Sequence, residues 1–249
     1  MGTWLGAVFT GLVAGTLLAT AIALWAFRTH VTSAPRLVWV ALGCLGVGAA
    51  GFYDDLQPAR IRGLLRQLRL LMSGRVTGGV VKLVAICAIS AAVVWGLDVH
   101  GWRLVLSIPL VAGCANLWNL LDVVPGRSLK AFLPALIVFG VIADGLVFDV
   151  LAVTAATWAA LALAVDLQER AMLGDAGANV LGFVVGLELV GGLPPVGLAV
   201  ALAVVVGLHV LSETVTLTRV IRAVPPLRWL DDVGRRPEHA PSEEGSTST

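Results

Sequence analysis

The sequence predicts an all-α integral membrane protein, a bundle of about eight transmembrane helices with its catalytic loops on the cytoplasmic side. The 249 residues are 58% hydrophobic and only 13% charged, and the mean hydropathy is +0.91. A soluble domain usually carries roughly 25% charged residues. The apolar residues also fall in runs of about 20, the length that an α-helix needs to cross a bilayer. We therefore predict a multi-pass protein of the cell membrane.

Eight apolar segments are candidate transmembrane spans. They cover about residues 4–27, 37–53, 79–97, 104–121, 131–147, 148–165, 177–193 and 195–217. Only a short turn near Asp144–Asp149 divides the fifth span from the sixth, and merging them would invert every later span. We predict that residues 1–222 form one transmembrane domain and residues 223–249 a cytoplasmic tail. From about residue 237 the tail has no apolar content to bury, which predicts disorder.

The basic residues set the predicted orientation. Most of them fall in the loop 54–78, in the loop around Arg127 and Lys130, and in the tail. With eight spans these three segments share one side of the membrane, and the positive-inside rule makes that side cytoplasmic. Leucines alternate with the arginines of residues 60–75, a pattern typical of an amphipathic helix on the membrane surface. The exceptions on the other side are Arg28, Arg36 and Arg103.

Acidic and amide side chains gather at the predicted cytoplasmic ends of the spans. Asp54 and Asp55 end the second span, and adjacent acids are costly inside a bilayer, so they belong at its edge. Asn116, Asn119 and Asp122 are three residues apart near the end of the fourth span, a spacing that puts them along one face of a helix. Both groups would then face the cytoplasm.

Two further polar residues fall on the same predicted side. Asp175 precedes the seventh span between Gly174 and Gly177, and the glycines permit a sharp turn and a close approach to a ligand. Lys82 lies one turn inside the third span, where an unpaired amine is expensive and needs a carboxylate or phosphate nearby. Oxygen ligands of this kind suit Mg²⁺. The residues thus predict Mg²⁺-assisted phosphoryl transfer at the membrane surface.

Each residue also has a simpler interpretation. The paired aspartates could be charges at a helix end, and Asn119 and Asp122 could join helices by hydrogen bonds. Asp175 could cap the seventh span. Lys82 could extend its amine to the interface. These alternatives weaken when the residues are considered together, because all of them fall on one predicted face.

Four motifs follow one another in order along the chain. They are Gly-Phe-Tyr-Asp-Asp-Leu from Gly51, Gly-Gly-x-x-Lys ending at Lys82, Asn-x-x-Asn-x-x-Asp ending at Asp122, and Leu-Gly-Asp-Ala-Gly around Asp175. In this order they resemble the polyprenyl-phosphate N-acetylhexosamine-1-phosphate transferases, often called glycosyltransferase family 4. That superfamily includes the phospho-N-acetylmuramoyl-pentapeptide transferase and the GlcNAc-1-phosphate transferases. The resemblance covers roughly residues 37–222.

The resemblance implies an activity and a set of partners. The protein would transfer an N-acetylhexosamine phosphate from a UDP-sugar to polyprenyl (undecaprenyl) phosphate and release UMP, with Mg²⁺ as cofactor. The reaction would serve cell-envelope polymer synthesis, such as that of peptidoglycan. A homodimer is one expected assembly. No nucleic-acid partner is expected, because the basic residues lie between apolar spans and form no basic domain.

The resemblance also implies roles for single residues. Asp54 and Asp55 would lie near the lipid phosphate, one of them as a base, with Lys82 at the phosphate site. Asp122 and Asp175 would hold Mg²⁺. The substrate-binding positions would be Asn116, Asn119, Gly177 and Asn179.

The chain departs from the superfamily pattern in three ways. Where the pattern continues Asp-Gly-x-Asp-Gly-Leu, this chain reads Asp122-Val-Val-Pro125-Gly-Arg, and a proline has neither charge nor backbone N–H. The late histidine-rich motif has no counterpart in the sequence, and the core is shortened to about eight spans. These departures support an alternative, a non-catalytic relative that binds polyprenyl phosphate or a partner of the cell-envelope machinery. A small transporter is disfavoured, because transporter sites usually lie near the bilayer midplane.

Overall fold

The computed structural model describes residues 4–57, 69–70, 72–215 and 217–234. Within these residues the helices are α1 Trp4–Ala26, α2 Ser33–Asp55, α3 Gly78–Gly96, α4 Gly101–Leu121, α5 Arg127–Ile142, α6 Leu146–Leu167, α7 Gly174–Gly192, α8 Pro195–Thr214, α9 Leu217–Ala223 and α10 Pro225–Asp232. Seven of them are long and apolar enough to cross a membrane, whereas α5 has 16 residues. The structure thus confirms an α-helical membrane protein, with a helix at each of the eight predicted segments and seven of these helices long enough to span a membrane. Most of the predicted surface helix at residues 60–75 lies outside the described residues.

Helices α5 and α6 are separate, as the division into eight segments requires. α5 ends at Ile142 and α6 begins at Leu146. The turn between them contains Gly145 with φ of 109°, a conformation that glycine adopts without steric cost. The predicted boundaries, 131–147 and 148–165, lie too late in the chain. The reason is that Leu146, Val147 and Phe148 follow the turn directly and are as apolar as the end of α5, so hydropathy alone does not mark where α6 begins.

α7 is the central helix of the bundle. Fifteen of its 19 residues are buried, and it packs against α1, α2, α4 and α5. Gly182 and Gly186 face α4, where a Cβ would clash with the Cys114 carbonyl group and with Val111. Small residues four apart let two helix backbones approach closely. This packing also fixes Asp175 in the first turn of α7.

The polar residues of interest lie at one end of the bundle, here called the site end. It comprises the first residues of α1, α3, α5 and α7 and the last residues of α2, α4, α6 and α8. Contacts that join these ends include Lys82 with Asp54 and Gly126 with Asp166. The ends of the helices away from them form the opposite end.

Exposed tryptophans lie at both ends of the bundle, and four of them are at the opposite end. They lie at the ends of α1, α2, α3 and α4 and are Trp25, Trp39, Trp95 and Trp102. Tryptophan is enriched where a membrane meets water, because its ring is apolar and its N–H is polar. These four tryptophans, with Trp4 and Trp229 exposed at the site end, suit the two surfaces of a bilayer.

Two of the three arginines that break the charge pattern have partners at the opposite end. Arg36 pairs with Asp98 at 2.8 Å. Arg103 donates hydrogen bonds of 2.7 Å to the carbonyl oxygens of Val190 and Leu193, where α7 ends. A cation at a helix C-terminus satisfies carbonyl groups that have no partner within the helix. Local partners therefore account for these two exceptions.

The first part of the predicted tail returns to the bundle. Arg127, at the start of α5, forms a two-pronged ion pair with Asp231 of α10, at 2.8 and 2.9 Å. Lys130 donates to backbone carbonyl groups at the end of α10, among them those of Leu230 and Val233. The first residues of the predicted tail, 223–234, are therefore packed against the start of α5. Residues 235–249, which include the segment predicted to be disordered, lie outside the described residues.

Candidate functional site

Polar residues from four helices converge at the site end. We call this group the polar cluster, and its members are Asp54, Asp55, Lys82, Asn119, Asp122 and Asp175. The residues that touch Lys82 are 28 and 93 positions away along the chain. The tertiary fold, rather than local sequence, therefore assembles the cluster.

Lys82 joins three of the four sequence motifs. Its Nζ lies 2.8 Å from Asp54 Oδ2 and 2.6 Å from Asp175 Oδ2, and the residue is only 7% exposed. Asn119 Nδ2 also donates to Asp175 Oδ2, at 3.3 Å. Hydrogen bonds between ionised groups are shorter and stronger than neutral ones. The amine is buried between two carboxylates, which favours ion pairing over the alternative that Lys82 extends to the interface.

Asp55 binds the start of α7. Its two carboxylate oxygens accept the backbone N–H groups of Asp175 and Ala176 at 3.3 and 3.2 Å. The first N–H groups of a helix have no partner within the helix and carry partial positive charge. Gly51, one turn earlier in α2, permits the approach, since a Cβ there would clash with the Asp175 carbonyl group. The carboxylate that caps α7 is therefore that of Asp55, not that of Asp175.

Asp122 lies directly after α4 and is largely buried. Its Oδ1 accepts a 2.6 Å hydrogen bond from Ser128 Oγ, whereas its buried Oδ2 has no hydrogen-bond partner among the described residues. Burial raises the pKa of Asp122 to about 7. The Ser128 hydrogen bond lowers this pKa, and the negative charges of Asp166 and Asp175 raise it. A cation placed here would favour the ionised form.

The donor set of the polar cluster fits Mg²⁺. Asp122 Oδ2 has no hydrogen-bond partner in the part of the chain that the structure describes, the Asp175 carboxylate is close enough to repel Asp122, and Asn119 adds a carboxamide. In the described part of the chain, no three His, Cys, Asp or Glu side chains form a metal-binding group. Mg²⁺ commonly uses only one or two protein carboxylates and fills its other positions with water and substrate phosphates. Two carboxylates and an amide therefore suffice.

Asn116 lies one turn from Asn119 but makes a different contact. Its Nδ2 lies 2.9 Å from Nε2 of His209 on α8, and His209 Nδ1 lies 2.8 Å from the Val205 carbonyl oxygen. With the ring proton on Nδ1, Nε2 accepts from the Asn116 amide. Asn116 therefore ties α4 to α8.

Two residues expected to bind substrate are buried in helix packing. A Cβ at Gly177 would clash with the Leu173 side chain and lie 2.9 Å from Gly6 Cα of α1. Asn179 is fully buried, and its Nδ2 donates to the Asp175 carbonyl oxygen at 2.6 Å. These positions favour a packing role for Gly177 and Asn179 over the predicted contact with substrate. The motif around Asp175 correctly marks the start of α7, but it does not show which residues of the helix face outward.

Three residues near the cluster were not singled out from the sequence: Ser128, Asp166 and His209 as a partner of Asn116. Asp166 is the clearest omission, because it is 1% exposed and accepts the Gly126 N–H at 2.6 Å. Its one sequence signal is an acid just before the end of an apolar run. The charged residues Glu169 and Arg170 follow closely, so Asp166 resembles an ordinary interfacial charge. Ser128 carries no distinguishing signal.

No family model, curated protein or solved structure matches this chain. Fold and cluster together define an α-helical membrane protein with a buried, mixed-charge polar site at one end. The superfamily resemblance remains a prediction from the four motifs.

Proposed function

We propose that the protein is a Mg²⁺-dependent transferase that moves an N-acetylhexosamine phosphate from a UDP-sugar to polyprenyl phosphate at the cytoplasmic membrane face. The observation that carries this proposal is the contact of Lys82 with both Asp54 and Asp175, because it joins three motifs at one point. A buried ammonium, carboxylates and a helix N-terminus at the end of a membrane bundle suit a lipid phosphate and a divalent cation. The product would enter cell-envelope polymer synthesis.

The proposed reaction exchanges one phosphoanhydride bond for another. An oxygen of the lipid phosphate attacks the sugar-bearing β-phosphorus of the UDP-sugar. A new P–O bond forms there, and the bond to the oxygen bridging the two donor phosphates breaks. UMP leaves with that oxygen and its electron pair. Mg²⁺, held by Asp122 and Asp175 with Asn119 beside them, would neutralise charge on the donor diphosphate.

The contacts of the two paired aspartates suggest different roles for them. Asp55 already accepts two backbone N–H groups of α7, so in this proposal it anchors the helix. Asp54 has its Lys82 contact and is the better candidate to face the lipid phosphate and accept its remaining proton. An ammonium group has three N–H donors. The two carboxylates use two of those of Lys82, which leaves one for a phosphate oxygen as charge develops.

The test is UMP release by the purified full-length protein with undecaprenyl phosphate, Mg²⁺ and a panel of UDP-N-acetylhexosamines. We expect release that requires both lipid and Mg²⁺ and falls by about a thousandfold in Asp175→Asn. Asp98→Asn is the matched control, because Asp98 is an ion-paired aspartate at the opposite end. Its rate should stay within about twofold of wild type. Absence of release with every donor would contradict the transferase proposal.

A second candidate function is binding of polyprenyl phosphate without catalysis. The observation that favours it is that Asp175 Oδ2 already accepts from both Lys82 and Asn119, so the protein itself satisfies part of the proposed metal ligand. Lipid-phosphate binding that Lys82→Met weakens, together with no UMP release by wild type, would support this function over the transferase.

A further inference from the structure

Asp166 connects the two segments that carry the proposed Mg²⁺ ligands. It is the penultimate residue of α6, and its Oδ2 accepts the Gly126 N–H at 2.6 Å. The backbone N–H of Leu173 also lies near this carboxylate. Gly126 ends the loop that begins with Asp122, and Leu173 is two residues before Asp175. The buried Asp166 side chain thus lies between the loop that carries Asp122 and the residues that precede Asp175.

The loop that carries Asp122 is held from two sides. Ser128 donates to Asp122 Oδ1 at 2.6 Å, and Asp166 accepts from Gly126. Gly126 has φ of 74°, and a Cβ there would clash with the Leu167 side chain next to Asp166. Glycine therefore lets the loop turn against the end of α6. This contact places the Gly126 N–H on the Asp166 carboxylate.

The chemistry of a carboxylate suits this position better than that of a neutral side chain. Burial of a charge without an ion-pair partner is unfavourable, and in the described residues Asp166 Oδ1 has no hydrogen-bond partner. An asparagine would be cheaper to bury, but it offers one acceptor oxygen and an NH₂ donor. A carboxylate offers acceptor oxygens to N–H groups from two directions. An acid buried here at this cost points to a role beyond one hydrogen bond.

We propose that Asp166 is a positioning residue that holds the Asp122 loop and the start of α7 at the separation that divalent-cation binding needs. The inference rests on the proposed function for the identity of the metal site. The side chain acts through Gly126 and Leu173 and does not touch the cation. Residues that orient metal ligands commonly change metal affinity by about 10–100-fold when they are removed.

The first measurement is amide hydrogen exchange of the full-length protein in lipid nanodiscs, without substrates. Asp166→Ala should speed exchange about 10–100-fold in both segments, 122–127 and 172–176, because hydrogen bonds to a charged acceptor are lost. Asp166→Asn keeps an acceptor oxygen but loses the charge, so it should speed exchange in both segments by less than Asp166→Ala does. Glu188→Gln is the matched control, since Glu188 is fully buried about 20 Å further along α7 from Asp175. It should change neither segment.

The second measurement is Mn²⁺ binding by electron paramagnetic resonance, with Mn²⁺ in place of Mg²⁺. Both Asp166 variants should raise the dissociation constant about 10–100-fold, and Glu188→Gln should not. In the UMP-release assay, Asp166→Asn should lower kcat and raise the Mg²⁺ concentration for half-maximal rate. The KM for UDP-sugar should stay within about twofold, because the donor contacts remain. A purely structural defect would not separate these parameters.

The outcomes distinguish this inference from the proposed function. Wild-type Mn²⁺ binding that Asp166→Asn does not weaken would overturn only the role of Asp166. Unchanged exchange in a folded Asp166→Ala, or a change in one segment only, would overturn it too. If Asp166→Ala fails to fold, Asp166→Asn decides. No Mn²⁺ binding by the wild-type protein would overturn the proposed metal site and this inference with it.

Discussion

The two ends of the bundle use charged residues differently. At the opposite end, Arg36 and Asp98 form an ion pair with side chains 42% and 64% exposed. At the site end, the Arg127–Asp231 pair is almost fully buried, and the side chains in the Lys82 pairs are only 8–15% exposed. An exposed pair contributes little to stability, whereas a buried pair must offset a large desolvation cost. Charges at the site end are therefore kept at a cost that stability alone does not explain.

The charge balance differs as well. The opposite-end pair is neutral, with one arginine and one aspartate. In the polar cluster, Lys82 is shared between Asp54 and Asp175, and Asp55 and Asp122 lie nearby. An excess of buried carboxylates attracts a cation. The comparison thus separates an exposed, neutral ion pair from a polar cluster with more acids than bases.

The largest effect should come from removing the shared cation. Lys82→Met leaves Asp54 and Asp175 buried without their common partner, so we expect the free energy of unfolding to fall by about 3–5 kcal/mol. Arg36→Met, at the opposite end, should cost at most about 1 kcal/mol. Thermal and denaturant unfolding in detergent would measure both. Adding Asp175→Asn to Lys82→Met should recover part of the loss in stability. Equal losses for Lys82→Met and Arg36→Met would refute the proposed difference between the two ends.

The polar cluster was largely predictable, because its residues are unusual for their positions. Adjacent aspartates at the end of an apolar run, or a lysine one turn inside it, stand out against hydropathy. The charge pattern then placed them on one side. Which oxygen meets which donor was not predictable, since Asp55 and Asp175 are 120 residues apart.

Supporting residues were not predictable for the same physical reason. Asp166 and Asp231 each lie beside exposed charges in the sequence, and only the fold buries them. Gly177 and Asn179 follow Asp175 in one motif, yet α7 is surrounded by helices and turns both inward. The α5–α6 turn was predicted too late in the chain because the residues that flank it are apolar. The sequence therefore predicts which polar side chains gather at one end of the bundle more readily than it predicts the direction in which each side chain points.

The next effect concerns the attachment of α10 to the bundle. Asp231→Asn weakens a buried pair with Arg127, and hydrogen bonds to charged groups contribute about 1.5–3 kcal/mol. We expect tryptic cleavage at Arg222 and Arg228 to rise at least about tenfold. Asp232→Asn is the neighbouring control, because its contact with Arg228 is 3.9 Å long and exposed. Limited proteolysis in nanodiscs would measure both rates, and similar rates would show that α10 does not depend on Arg127.

A smaller effect is expected for a neutral contact at the site end. Asn116 and His209 join α4 to α8, and hydrogen bonds between helices in membranes contribute about 0.6 kcal/mol on average. A double-mutant cycle with Asn116→Ala and His209→Ala should give a coupling energy of this size. Unfolding measurements on the four proteins supply it. A coupling above about 2 kcal/mol would mean that the contact belongs to the charged network instead.

The smallest effect should come from the second acid of α7. Glu188 is fully buried, and within the described residues neither of its carboxylate oxygens has a hydrogen-bond partner. Asp175, on the same helix, has Lys82 and Asn119 as donors. Burial of a polar group without a hydrogen bond costs about 1–3 kcal/mol. We therefore expect Glu188→Met, which keeps the length of the side chain, to leave the free energy of unfolding unchanged or raise it by about 1 kcal/mol.

Glu188 sharpens the comparison because both acids lie on α7, yet the more deeply buried one, Glu188, has no hydrogen-bond donor among the described residues. If Glu188→Met destabilises the protein by more than about 1 kcal/mol, then burial of an acid in α7 is favourable without any donor. In that case the donors around Asp175 would no longer distinguish the site end. If stability is unchanged or rises, Glu188 is an unfavourable burial that the bundle tolerates. The network around Asp175 is then specific to the end of the bundle where the motifs meet.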